Sequence, residues 1–180
     1  MQEKVIYREG ISATVNAVRA MLPAGFLERL RTEAGYDHDG AQKQFPIATF
    51  DAVVKLLAAQ LYPAQALDDA LYELGRTAMT RYGDGAIGKT LFPLIRLLGP
   101  VRVLKRIPPL FRATNNFAVV TLEVTGKTSY ECEHNEVGSV PHYYRGVMQG
   151  AAELLRLPHH QTALLTYDGH RARYRLSWQP

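Results

Sequence analysis

Residues 114–180 read strand, strand, helix, strand, strand, and that order constrains the fold more than any single motif. Ala118, Val120, Leu122 and Val124 alternate with Phe117, Val119, Thr121 and Glu123, a two-residue period that gives a strand one apolar face. Gly126 marks a turn. Thr128, Tyr130, Cys132 and His134 then alternate with Lys127, Ser129, Glu131 and Glu133, so the partner strand has one acidic face. A helix is predicted over His142 to Leu157, with Tyr143, Val147, Gly150, Leu154 and Leu157 on one side. Gly146 and Gly150 stand four apart and are expected to let that helix lie close to the sheet. Pro158 ends it. Thr162 to Tyr167 reads as a third strand, Asp168-Gly169 as a short hairpin, and Arg171, Arg173 and Arg175 alternate with Ala172, Tyr174, Leu176 and Trp178 in a fourth. A small antiparallel sheet with one apolar face needs a helical layer against it. The predicted fold is therefore α+β: one domain, residues 1–180, with a helical layer over 1–113 packed on a four-stranded antiparallel sheet of ββαββ order over 114–180.

The first 113 residues carry the helical period. Ser12 is placed to cap a helix running to about Leu22, ended by Pro23-Ala24-Gly25, and Phe26 to Ala34 gives a second, stopped by Gly35. Tyr36 to Pro46 reads as a loop. Thr49 is placed as the cap of a helix whose Phe50, Val53, Val54, Leu57 and Leu61 share one face. After Pro63, Leu67, Leu71, Leu74, Ala78 and Tyr82 make another apolar stripe, with Asp68 and Asp69 favouring the dipole in its first turn. Gly83-Asp84-Gly85 is read as a turn, and Leu91 to Leu98 and Val101 to Arg106 as helical, before Pro108-Pro109 closes this half.

Several functions are excluded early. A chain with 47% hydrophobic and 21% charged residues is ordinary globular material rather than disordered. The charged start is unlike a signal peptide, and no run approaches the ~18 apolar residues of a membrane span. The lone Cys132 forbids an internal disulfide and fits a reducing, cytoplasmic setting. A net charge of +4 describes a mildly basic surface, without the dense basic stripe and interleaved aromatics of a nucleic-acid binder.

No strong catalytic or metal signature emerges. Cys132 and His134 share a strand face, yet strand neighbours two apart stand near ~7 Å, long for a nucleophile–base hydrogen bond. Cys132, His134 and His142 offer zinc-type donors without paired Cys-x-x-Cys spacing. Asp37, His38 and Asp39 form a polar loop cluster that loop composition itself explains. His159 and His160 read as a surface pair. Gly83 through Gly88-Lys89-Thr90 fits Walker spacing, but it follows an amphipathic helix where a phosphate loop follows a buried strand. Arg96, Arg102, Lys105, Arg106 and Arg112 cluster near Pro108-Pro109. Arg171, Arg173 and Arg175 line the outer side of the last strand, where Glu131 and Glu133 would pair with them. Neither catalytic residues nor a metal nor a cofactor are expected.

Three segments carry a family resemblance: Leu71-Tyr72-Glu73-Leu74-Gly75, Arg106-Ile107-Pro108-Pro109-Leu110-Phe111-Arg112 and Tyr144-Arg145-Gly146-Val147-Met148-Gln149-Gly150. Over about Leu71 to Trp178 the chain resembles haem–nitric oxide/oxygen binding (H-NOX) domains, vinyl-4-reductase-type domains and transport protein particle subunits. As a whole it is most similar to a myxobacterial paralogous domain family of unknown function. An H-NOX haem site needs a proximal histidine in the helical region and Tyr-x-Ser-x-Arg on a strand to grip the propionates. Here no histidine lies between His38 and His134, so the axial position expected around Leu97 to Arg106 is empty. Tyr130-Glu131-Cys132-Glu133-His134 matches the tyrosine alone. The cysteine cluster of vinyl-4-reductase-type relatives is also missing.

The resulting expectation is a non-catalytic cytoplasmic sensor or ligand-binding module without haem. A small, largely apolar ligand, such as an acyl chain, would sit between helices and sheet, lined by Phe92, Leu104, Phe111, Val120, Leu122, Tyr130 and Val147, with Arg106 or Arg112 for an acidic head group. The resemblance to transport-particle subunits implies homodimerisation through helices. The rival expectation is a protein-interaction module with a solid core and no ligand.

Overall fold

The computed structural model describes residues 3–84 and 112–179. Strand β1 (Val5–Tyr7) runs straight into helix α1 (Arg8–Val18), followed by a 3-10 turn (Arg19–Met21) and α2 (Phe26–Ala34). Strand β2 (Gln44–Pro46) leads into α3 (Ile47–Leu61), and α4 (Leu67–Asp84) follows. The second half holds β3 (Val120–Gly126), β4 (Ser129–His134), α5 (Pro141–Leu154), β5 (Gln161–Tyr167) and β6 (Ala172–Ser177). The α+β class and the ββαββ order stand as the sequence predicted.

Helix boundaries shift where backbone chemistry overrides side-chain caps. Gly35, at φ +68, ends α2 in the left-handed conformation that glycine adopts without strain. Pro46 starts α3 at Ile47, so Thr49 lies inside the first turn and caps nothing. Helix α1 begins at Arg8, so Ser12 is interior; its hydroxyl meets the Tyr36 hydroxyl at 2.8 Å. Gly83 and Asp84 continue α4 instead of turning. The predicted helices over Leu91–Leu98 and Val101–Arg106, and the Walker-like run beyond Asp84, lie outside the described residues.

The first core is helical. Ile11, Val15 and Val18 of α1, Phe26 and Leu30 of α2, Phe50, Val53, Val54 and Leu57 of α3 and Leu71 and Leu74 of α4 are all buried together. The apolar stripe of α4 frays at both ends, where Leu67 and Tyr82 are exposed. Within the segment read as a loop, β2 pairs antiparallel with β1, Ile6 opposite Phe45. Arg8 holds that segment: its guanidinium donates to the carbonyls of Gln42, Asp37 and His38 and covers the rings of Tyr36 and Phe45.

The sheet is ordered β3-β4-β6-β5, antiparallel throughout. Tyr130, Cys132 and His134 of β4 face the same way as Leu176, Tyr174 and Ala172, their partners on β6. Leu122 opposite Cys132 and Leu164 opposite Tyr174 extend this inner face to both edges. The outer face carries charge. Arg175 and Arg173 bond Glu131 at 2.7 Å each, Arg173 reaches Glu123 at 3.2 Å, and Arg171 stands 3.6 Å from Glu133. The expected pairing of the arginine row with the acidic strand is present, so these arginines are committed inside the sheet.

Helix α5 lies between α4 and the inner sheet face. The close approach expected between its glycines and the sheet is instead an approach to α4. A Cβ on Gly146 would overlap the Tyr72 carbonyl oxygen, and one on Gly75 would overlap that of Tyr143. At Gly150 it would stand 2.7 Å from the Arg76 carbonyl oxygen. Three missing side chains thus let two helix backbones touch, as small residues do wherever helices cross closely.

Candidate functional site

The inner sheet face is the surface on which the fold would build a ligand site, and β4 supplies its centre. Alternation on a strand brings Tyr130, Cys132 and His134 to one side, at 3%, 4% and 3% exposure. Tyr130 stacks flat on Trp178, with ring centroids 5.4 Å apart. Burial pushes the Cys132 thiol up to about 12, aided by the charge of Glu133, so no thiolate forms near neutrality. Burial also pushes His134 down to about 4 and keeps its imidazole neutral. That ring lies 5.1 Å from Tyr144 and 6.4 Å from Tyr174, whose phenols burial likewise holds un-ionised. Burial thus disfavours the charged form of each, the thiolate of Cys132 and the imidazolium of His134.

Side chains of α5 fill the middle of this face. Met148 packs against Tyr130, Ala152, Leu157 and Leu176 on one side and against Val137, Ala172 and Tyr174 on the other. The face opens toward β3. Val120 is buried and Leu122 half-buried against Tyr130, while Val124 is 58% exposed.

The candidate lining residues divide accordingly. Leu122 and Tyr130 are brought together in the sheet-side cluster, and Val120 lies farther along β3. Val147 packs into the helical core on the opposite side of α5 and does not meet them. Arg112 is exposed. Phe92, Leu104, Arg106 and Phe111 lie outside the described residues.

Haem is the group the resemblance implies, and these residues do not fit it. The strand position that should hold a propionate-binding arginine carries His134, neutral and buried. The tyrosine of the grip is stacked under Trp178 in an apolar cluster. The serine position carries Cys132, and its neighbours along β4, Glu131 and Glu133, are acids; Glu131 faces the arginines of the outer sheet face. Two carboxylates cannot grip a third, and the stretch from Asp39 to Glu133 contains no histidine to bind iron. Among the described residues no group of three or more metal-ligating side chains gathers, so Cys132, His134 and His142 do not form a zinc site. His142 instead approaches Asp68 at 3.6 Å. His38 is half-buried and its pKa is lowered, first by that burial.

Two clefts mark the helical side. One, about 240 Å3, follows Arg19 to Leu27; the other, about 520 Å3, precedes α4 and is bounded by Ala64, Ala66, Asp69, Tyr72, Glu73 and Arg145. Neither lies between α5 and the sheet. No pattern in the sequence marks the second cleft, because its residues come from a loop and two helices far apart in the chain. No described helix is long and apolar enough to cross a membrane.

A family model described as "Protein of unknown function (DUF2378)" matches residues 4–179, and the chain belongs to that family. No curated protein matches it in sequence. Among solved structures it is similar to a Cs H-NOX carrying 4-cyano-L-phenylalanine, with TM-score 0.67, 12% identity and 97% of each chain covered. A mutant T. tengcongensis H-NOX gives TM-score 0.63 at 12% identity, covering 94% of this chain and 96% of that one. An oxygen-binding H-NOX domain related to soluble guanylate cyclases gives 0.63 at 12%, covering 93% and 92%. The chain therefore has the H-NOX fold.

Proposed function

We propose that this member of the DUF2378 family is a non-catalytic, haem-free ligand-binding or sensor module, working in the cytoplasm, that uses the H-NOX fold for a small, largely apolar ligand. The observation that carries the reading is the conversion of the β4 grip into core. Tyr130 lies under Trp178, the Cys132 thiol is un-ionised, and His134 is neutral and buried. A propionate needs cationic or hydrogen-bonding donors, and this face offers hydrocarbon. The ligand would lie on the β3 side, against Leu122 and the exposed Val124, with Tyr130 behind them; Val147 belongs to the helical core and not to this surface.

The test is to purify the protein from cells supplied with a haem precursor, then record absorption and a native mass spectrum. The expected result is no Soret band and an adduct that denaturation releases as a small apolar molecule. A stoichiometric Soret band overturns the haem-free reading.

A second reading, an interaction module with no ligand, draws on Met148 and its neighbours, which already fill the centre of the sheet face. A clean mass of the bare chain favours it. In either case we expect a homodimer, tested by light scattering. A mass near twice the 20.1 kDa of one chain agrees with it, and the monomer mass does not.

A further inference from the structure

Helix α5 carries an arginine that has no counter-charge among the described residues. Arg145 lines the cleft ahead of α4, its guanidinium 4.3 Å from the centroid of the Tyr72 ring. Its Nε is buried and donates to nothing. The two Nη groups have no partner among the described residues and are not sealed away with Nε, so they open to the cleft. The acids nearby do not pair with it. Glu73 meets Arg76 at 3.4 Å, and Arg76 in turn donates to Glu153 at 2.6 Å. Asp69 stands exposed at the rim.

A guanidinium stacked on an aromatic ring is held in one orientation and presents a planar fork matched to a carboxylate. Stacking on Tyr72 therefore supplies the pre-organisation that hydrogen bonds usually give. The two rim carboxylates disfavour a phosphate or a dicarboxylate, because like charges would face each other across the same cleft. They favour a ligand whose second charge is positive. The cleft, about 520 Å3 and open to solvent, has room beside Ala64 and Ala66 for a small side chain as well.

We propose that this cleft binds a small ammonium carboxylate of the α-amino-acid class, its carboxylate on the Arg145 fork and its ammonium group toward Asp69 and Glu73. The site is separate from the sheet face, so success or failure at one says nothing about the other.

The experiment is an NMR titration of the isotope-labelled full chain with L-alanine. Acetate and L-alaninamide, each lacking one charge partner, serve as comparison probes. The expected result is saturable shifts centred on Tyr72 and Arg145, with acetate and L-alaninamide each binding several-fold more weakly. Arg145→Gln should weaken L-alanine about ten- to a hundredfold, the usual effect of removing a charge-assisted hydrogen-bonding pair. Should that variant fail to fold, Asp69→Asn at the exposed rim carries the test. It should weaken L-alanine several-fold without weakening acetate, whose like-charge repulsion from Asp69 it removes. No saturable shift with L-alanine overturns the proposal, as does acetate binding as tightly as L-alanine.

Discussion

Helix α5 meets two neighbours in opposite ways. Toward α4 it offers Gly146 and Gly150, and the opposing Gly75 completes a contact of backbone on backbone. Toward the sheet it offers Tyr144, Met148 and Ala152, with Leu155 just past its end, side chains that pack against Tyr130, Tyr174 and Leu176. The first contact has no adjustable parts. The second has several, since a long unbranched side chain such as Met148 changes rotamer to fill what its neighbours vacate. Specificity of the helix crossing thus rests on what is missing, and that of the sheet packing on what is present.

The contrast can be broken at either surface. The largest effect is expected at Gly146→Leu. Its side chain would have to occupy the position of the Tyr72 carbonyl, so α4 and α5 cannot dock; loss of a cooperative thermal transition in circular dichroism checks it. On the sheet side the largest effect is set by pH. His134 in the unfolded chain takes up a proton below about 6.5, but the buried ring does so only near 4. The stability this neutral ring retains above 6.5 is therefore lost as pH falls from 6.5 to 4, by about 3 kcal/mol. Denaturant melts across that range should show the fall, and His134→Gln should flatten it. Met148→Ala, on the adaptable surface, should cost about 2 kcal/mol and leave a folded protein by the same measurement. The smallest effect is Thr14→Val. It removes the 2.6 Å hydrogen bond to the Tyr143 hydroxyl at the α1–α5 contact, and about 1 kcal/mol with it.

How much of this could be read in advance follows from the range of each signal. The strands of the second half were legible because alternation is local: Tyr130, Cys132 and His134 needed only their own spacing to be placed on one face. The acidic and basic strands paired as anticipated because register follows from that same alternation. Strands β1 and β2 went unseen, each being three residues long with a partner some 40 positions away in register. The glycine spacing on α5 was visible, but spacing names no partner, and the partner proved to be α4. For the candidate site, sharing of a face by Leu122 and Tyr130 was legible. The side of α5 taken by Val147 was not, since a helix buried all round gives no sign of which neighbour each residue meets. Arg145 stood out in the sequence only as part of a resemblance segment, because stacking on Tyr72 leaves no mark in a sequence.

The stretch from Glu3 to Tyr7 works as a buckle between the halves of the molecule. Asn116 donates to the Glu3 carbonyl and accepts from the Val5 amide, the Tyr7 amide reaches Thr114, and Lys4 closes on the deeply buried Glu136 at 2.5 Å. Trimming or displacing these few residues would remove this fastening and take from the Glu136 carboxylate its lysine partner. Labels for any of the measurements above therefore belong away from this stretch, for instance on the exposed side chain of Gln179.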